Sequence, residues 1–202
     1  MSVRKIYKKM LMLCIGLVLV QNVAANEQVE LKEHFLNKIN EVILIVEDKK
    51  LSKIDRNSNI IKSLTPMMDF ELMAKLSLGK KWNELSKADK DKFVALYVER
   101  MKQSYSSKID AYKDEKVEVK KIEQPQDGRI AFVTDLVSKE QKLEIVYKFH
   151  KPKERATSKE NWLIYDVEIL GVSILKTDIA QFKEFLQTKS ITELMDALAK
   201  QS

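Results

Sequence analysis

The chain reads as an α+β domain in which helices come first, an antiparallel sheet follows and a further helix closes the C-terminal end. Three observations lead there. Apolar residues recur at helical spacing from Val29 onward, and after Asp114 the period changes to two. The connections between the alternating runs are short, which joins them as antiparallel neighbours and not through crossovers. The expected architecture is a set of N-terminal helices and a C-terminal helix wrapped on a four-stranded antiparallel sheet. Helices must cover the apolar face of such a sheet, and here they are expected to enclose an apolar pocket.

The first residues carry an address. Arg4, Lys5, Lys8 and Lys9 form a positive segment, Met10 to Val20 an apolar run of about a dozen residues, and Val23-Ala24-Ala25 a small-residue cleavage site. Residues 1–25 are therefore expected to be a cleavable signal peptide and residues 26–202 one exported domain. The apolar run falls short of the roughly 20 residues that a membrane-spanning helix needs. Cys14, the single cysteine, lies inside the leader, so the exported domain relies on its core and not on disulfides.

The full chain has 36 basic and 30 acidic residues, a net charge of +6. Loss of the four leader cations brings it close to neutral, with lysines and glutamates interspersed. That pattern describes a solvated surface and not a phosphate-tracking footprint, and nucleic acid is not expected as a partner.

From Val29 to Val46, Leu31, Phe35, Leu36, Ile39, Val42, Ile43 and Val46 make one face of an amphipathic helix. A weaker helical pattern runs from Leu51 to Leu64, and Pro66 ends it. Asp69 is placed to cap a helix over Phe70 to Leu78, with Gly79 as its stop. Ser86-Lys87-Ala88-Asp89 has the form of a capping box for the next helix, which carries Phe93, Leu96, Tyr97, Met101, Tyr105 and Ile109, with Tyr112 near its end.

Val117 and Val119 start the strand half, and Gln124 to Gly128 reads as a hairpin loop. Ile130 to Val137 is the second strand. Leu143, Ile145, Tyr147 and Phe149 alternate along the third, as Leu163, Tyr165, Val167 and Ile169 do along the fourth. Gly171 turns the chain into the last helix.

No metal-ligand spacing, glycine-rich phosphate loop or nucleophile elbow occurs in the exported part. No catalytic residue, metal or cofactor is expected. His150 stands alone at a strand end. Asp166 and Glu168 are paired carboxylates on a polar strand face, able to act as acid and base only within a cleft.

Pro66-Met67-Met68-Asp69-Phe70, Met73-Ala74, Leu78-Gly79-Lys80-Lys81-Trp82, Ser86, Phe93, Tyr105 and Tyr112, then Trp162, Tyr165-Asp166-Val167, Gly171-Val172-Ser173 and Gln181-Phe182, make a pattern that resembles the MlaC family, the toluene-tolerance periplasmic phospholipid carriers. The resemblance spans about residues 30 to 200. It implies a periplasmic carrier that binds one glycerophospholipid as cargo and exchanges it between two membrane complexes, maintaining outer-membrane lipid asymmetry. The implied partners are an inner-membrane ABC transporter complex with an MCE-type subunit and an outer-membrane lipoprotein–porin complex.

The pocket walls are then expected from Phe70, Met73 and Leu76 of the third helix and Phe93, Tyr97, Met101 and Tyr105 of the fourth. Strand residues Phe132, Leu143, Ile145, Tyr147 and Phe149 join them, with Tyr165 and Val167 from the last strand. Val172, Ile174 and Leu175 are expected to close one end. By type, each is equally an ordinary core residue. One departure stands out: relatives often carry a Tyr-Arg pair shortly before the Gln-Phe step, where this chain has Asp178 and Ile179. Two other classes stay open, a small isomerase- or dehydratase-like enzyme using Asp166 with a tyrosine, and a chaperone or binding module for exported polypeptides or another apolar ligand.

Overall fold

The structure, a computed structural model, describes residues 26–109, 116–138, 142–152 and 160–200, with the side chains of 104–109 outside that description. The expected leader, Tyr112 and most of the loop after Pro152 lie outside the described residues. The chain divides into two compact units, residues 1–38 and 39–202. Of the first, residues 26–38 are helical, with Leu31 and Phe35 buried.

The second unit opens with helical residues 39–47, α1. Helix α2, Lys53–Leu64, is capped by Ser52, whose hydroxyl accepts from the Asp55 amide. Pro66 turns the chain through a short 3-10 segment, Thr65–Met67, because its ring leaves no amide for a continuing α-helix. Helix α3, Phe70–Leu78, starts where Asp69 accepts from the Leu72 amide at 2.9 Å. It stops at Gly79, whose φ of 55° suits a residue without Cβ. A 3-10 segment, Gly79–Glu84, leads to α4, Lys87–Ile109, with the Ser86 hydroxyl accepting from the Asp89 amide.

Five antiparallel strands follow in sequence order: β1 Lys116–Gln126, β2 Arg129–Val137, β3 Lys142–His150, β4 Leu163–Ile169 and β5 Val172–Ser173. This corrects the expectation of four strands. The fifth is two residues long, too short to show a period of two. The first hairpin is also tighter than expected. β1 runs through Pro125 to Gln126, and only Asp127-Gly128 turns. A proline is tolerated there because β1 is an edge strand and its register is already irregular between Glu123 and Gln126.

β4 contains a second irregularity, and it matters more. Lys148 pairs with Asp166, but Phe149 pairs with Ile164, so Tyr165 is an extra residue. The bulge reverses the alternation on its N-terminal side. Val167 and Ile169 share a face with Tyr147 and Ile145, as expected, but there Ile164, and not Leu163 or Tyr165, continues that face.

Leu170 and Gly171 turn β4 into β5 with φ of 50° and 78°. Leu170 is the only non-glycine residue at positive φ among the described residues, and its amide donates to the Glu144 carbonyl at 3.1 Å. The C-terminal region forms two helices and not one. Helix α5 is Ile174–Phe185 and α6 is Ile191–Ala199, the latter started by a full capping box between Ser190 and Glu193.

Helices α3 to α6 share one dry core. Met73, Leu78, Trp82, Phe93, Tyr97 and Met101 pack with Phe182, Leu194, Met195 and Leu198. Helices α3 and α5 both approach β4, and α5 also contacts β5, which it directly follows.

Candidate functional site

The sheet presents two chemically different faces. On one face the cross-strand neighbours form four rungs: Ile130–Phe149–Ile164, Phe132–Tyr147–Val167, Thr134–Ile145–Ile169 and Leu136–Leu143. The only polar side chain of the β2 row, Thr134, is fully buried and donates its hydroxyl to the Ile145 carbonyl at 2.8 Å. That bond satisfies the hydroxyl of the row. Phe132 and Phe149 pack diagonally across the first two rungs, their ring centroids 4.9 Å apart.

Exposure is graded along these rungs. Ile130, Phe149 and Ile164 at one end are all buried, the two middle rungs mix buried Phe132, Thr134 and Ile145 with partly exposed Tyr147, Val167 and Ile169, and Leu136 and Leu143 at the far end are both partly exposed. Tyr147 carries the sharpest signature, because burial pushes its phenol from 10.0 up to about 12. It nevertheless keeps part of its surface accessible.

The opposite face is charged and internally paired. Lys148 donates to Asp166 at 2.9 Å and to Glu168 at 2.8 Å. Burial lowers the Lys148 pKa, but the two carboxylates outweigh it and hold it raised. Asp135 is pushed up by burial and pulled down further by Lys142 and Lys120, and its carboxyl stays below the ordinary value.

Asp166 is committed to structure. One oxygen accepts from the Ser173 hydroxyl and the Leu175 amide, the other from Ser173 and Lys148. Ser173 in turn caps α5 through the Lys176 amide. A carboxylate with both oxygens engaged is a poor general base, so the pairing of Asp166 with a tyrosine as acid and base finds no support. Asp69 is similarly engaged. It caps α3, meets His150 Nε2 at 2.8 Å, and its amide donates to the Ile164 carbonyl, so that the Pro66 to Phe70 segment is stapled to β4.

The residues expected to line a pocket separate into groups. Phe132, Leu143, Ile145, Tyr147, Phe149 and Val167 share the graded apolar face. Met73, Phe93, Tyr97 and Met101 are buried in the helical core, with Phe70 and Ile174 packed against it. That cluster contains no strand residue. Leu76 is partly exposed, Leu175 is buried with its amide on Asp166, and Val172 is 62% exposed. Tyr165 turns to the charged face, beneath Arg129 and edge-on to His150. The side chain of Tyr105 lies outside the described residues. Ile130, Leu136, Ile164 and Ile169 complete the face and were missed. The alternation of β2 signals the first two, whereas Ile164 is placed by the bulge.

Asp178 also finds its explanation. It is buried and accepts from Tyr97 Oη at 2.6 Å and Arg100 Nη1 at 2.8 Å, while Arg100 Nη2 donates to Gln181.

Among the described residues no group of three His, Cys, Asp or Glu side chains could hold a metal ion, and no helix is long and apolar enough to cross a membrane. A family model described as MlaC protein matches residues 36–200. No curated protein matches the chain. A solved structure, that of the phospholipid-binding protein from Ralstonia solanacearum in complex with a phospholipid, is similar with a TM-score of 0.68 at 14% identity, covering 82% of this chain and 95% of that one. At that identity the likeness is one of fold.

Proposed function

The chain belongs to the MlaC family, and from that premise we propose that it is a periplasmic phospholipid carrier which holds one glycerophospholipid by its acyl chains. The observation that carries this reading is the graded apolar face, closed around Ile130, Phe149 and Ile164 and opening towards Leu136 and Leu143. Phe132, Ile145, Tyr147 and Val167 would contact the chains. Phe70 and Leu76 would add a helical wall that Met73, Phe93, Tyr97 and Met101 hold from behind. Ile174 and Leu175 would close one end.

The energetics favour such a device. About 30 methylenes in two acyl chains, at about 0.8 kcal/mol each, would cost on the order of 25 kcal/mol on full exposure to water. A carrier must offer an environment close to that of a bilayer, neither much better nor much worse, so that docking can load and unload it. Residues 1–25 would direct export and be removed. The lipid would pass between an outer-membrane lipoprotein–porin complex and an inner-membrane ABC transporter complex with an MCE-type subunit, maintaining outer-membrane lipid asymmetry. The fold family and the engaged Asp166 favour binding and transport over catalysis.

Uptake of labelled phospholipid from vesicles tests the proposal. Val167→Asp puts a charge on the apolar face, where an unpaired carboxylate costs several kcal/mol or stays protonated. It is expected to reduce uptake by about tenfold or more. Undiminished uptake by a folded Val167→Asp protein would place the lipid elsewhere.

A further inference from the structure

Arg129 starts β2 on the charged face, directly across from His150 of β3. Its guanidinium carbon lies 4.3 Å from the centroid of the Tyr165 ring, well inside the range of a cation–π contact. Tyr165 reaches that position through the β4 bulge. His150 sits edge-on to the same ring at 5.8 Å and is fixed from behind by Asp69.

Two other partly buried cations of the same fold, Arg100 and Lys148, are held by carboxylates: Arg100 by Asp178, and Lys148 by Asp166 and Glu168. Arg129 differs. Its Nη1 is buried without a hydrogen-bond partner, and no carboxylate pairs with its guanidinium among the described residues. Leaving a charged donor unpaired out of water is costly, and a cation half withdrawn from solvent attracts an incoming anion more strongly than a free one. The ring covers one face of the guanidinium and Nη1 is buried, so an incoming anion would have to meet the edge formed by Nη2 and Nε.

We propose that Arg129, seated on Tyr165 beside His150, is a receptor for a phosphate group. Adjacent strands place the two side chains about 5 Å apart at the backbone. A tetrahedral phosphate has oxygens enough to meet the guanidinium and, when His150 is an imidazolium with Nε2 donating to Asp69 and Nδ1 free to donate, the ring as well, whereas a carboxylate spends its two on the guanidinium. The site lies on the face opposite the graded apolar surface, at the end where that surface is closed, and so does not rest on the carrier reading. The phosphate is either free orthophosphate or the headgroup of a lipid at a membrane surface.

Calorimetric titration of the purified protein with orthophosphate, and co-sedimentation with phosphatidylglycerol vesicles, separate these sources. Arg129→Gln is expected to weaken the interaction about tenfold or more, and Arg129→Lys to retain part of it, because lysine supplies the charge without the fork. Orthophosphate binding lost in Arg129→Gln identifies the free ion. Vesicle binding lost in Arg129→Gln, with no response to orthophosphate, identifies the headgroup. If Arg129→Gln fails to fold, the wild-type Arg129 Nε–H resonance, assigned through Arg129→Lys, is expected to move on addition of phosphate or vesicles. A resonance that stays still under both, or equal binding by the wild type and a folded Arg129→Gln, overturns the proposal.

Discussion

Asp178 joins α4 to α5 through two charge-assisted hydrogen bonds in a buried setting. Removing one partner of such a pair leaves the other uncompensated, so Asp178→Ala is expected to lower stability by about 3 kcal/mol in urea unfolding. Replacing Asp178, Tyr97 and Arg100 together with Leu, Phe and Met should recover most of that loss. Tyr147 makes a pH prediction. Its phenol is raised from 10.0 to about 12 in the folded protein, so above the unfolded value the native state holds the proton that the unfolded state releases. Stability is therefore expected to fall as pH rises from about 10 to about 12. A spectrophotometric titration should show a late phenol transition that loses one tyrosine's amplitude in Tyr147→Phe. At Leu170 the sign of the usual leucine deletion should reverse. The side chain is 67% exposed and the backbone has φ 50°. Leu170→Gly relieves left-handed strain worth about 1 kcal/mol and is expected to leave the melting temperature unchanged or raise it.

At the scale of elements, the anchor of α5 is the Asp166–Ser173 contact. Ser173→Ala removes both the cap and the hydroxyl proton shared between the two oxygens of Asp166, with an expected loss of about 2 kcal/mol in thermal or urea unfolding. Elements with local signals were legible. Asp69 as the cap of α3, Gly79 as its stop, Ser86 at the start of α4 and the alternation of β3 all stand where composition and period put them. The two-residue β5 has no period to read, and the bulge at Tyr165 is set by pairing with β3, which no local pattern encodes. The break between α5 and α6 did have a signal, the Ser190–Glu193 capping box, and apolar continuity hid it. The counter-charge of Asp178 lies 78 residues away at Arg100, a separation at which no spacing rule operates.

Across the whole second unit, two apolar assemblies divide the hydrophobic residues. The helical cluster is a closed core, whereas the sheet face grades from buried to partly exposed. By residue type the two were indistinguishable in the sequence, because a phenylalanine in a core and one on a pocket wall have the same spacing. The distinction comes from register and exposure, and under the carrier proposal the sheet face is the one that would hold the cargo. The central claim is tested most directly by native mass spectrometry of the protein gently purified from the periplasm, followed by solvent extraction. The account predicts one glycerophospholipid per chain. A protein that emerges without lipid and takes up none from labelled vesicles would contradict it.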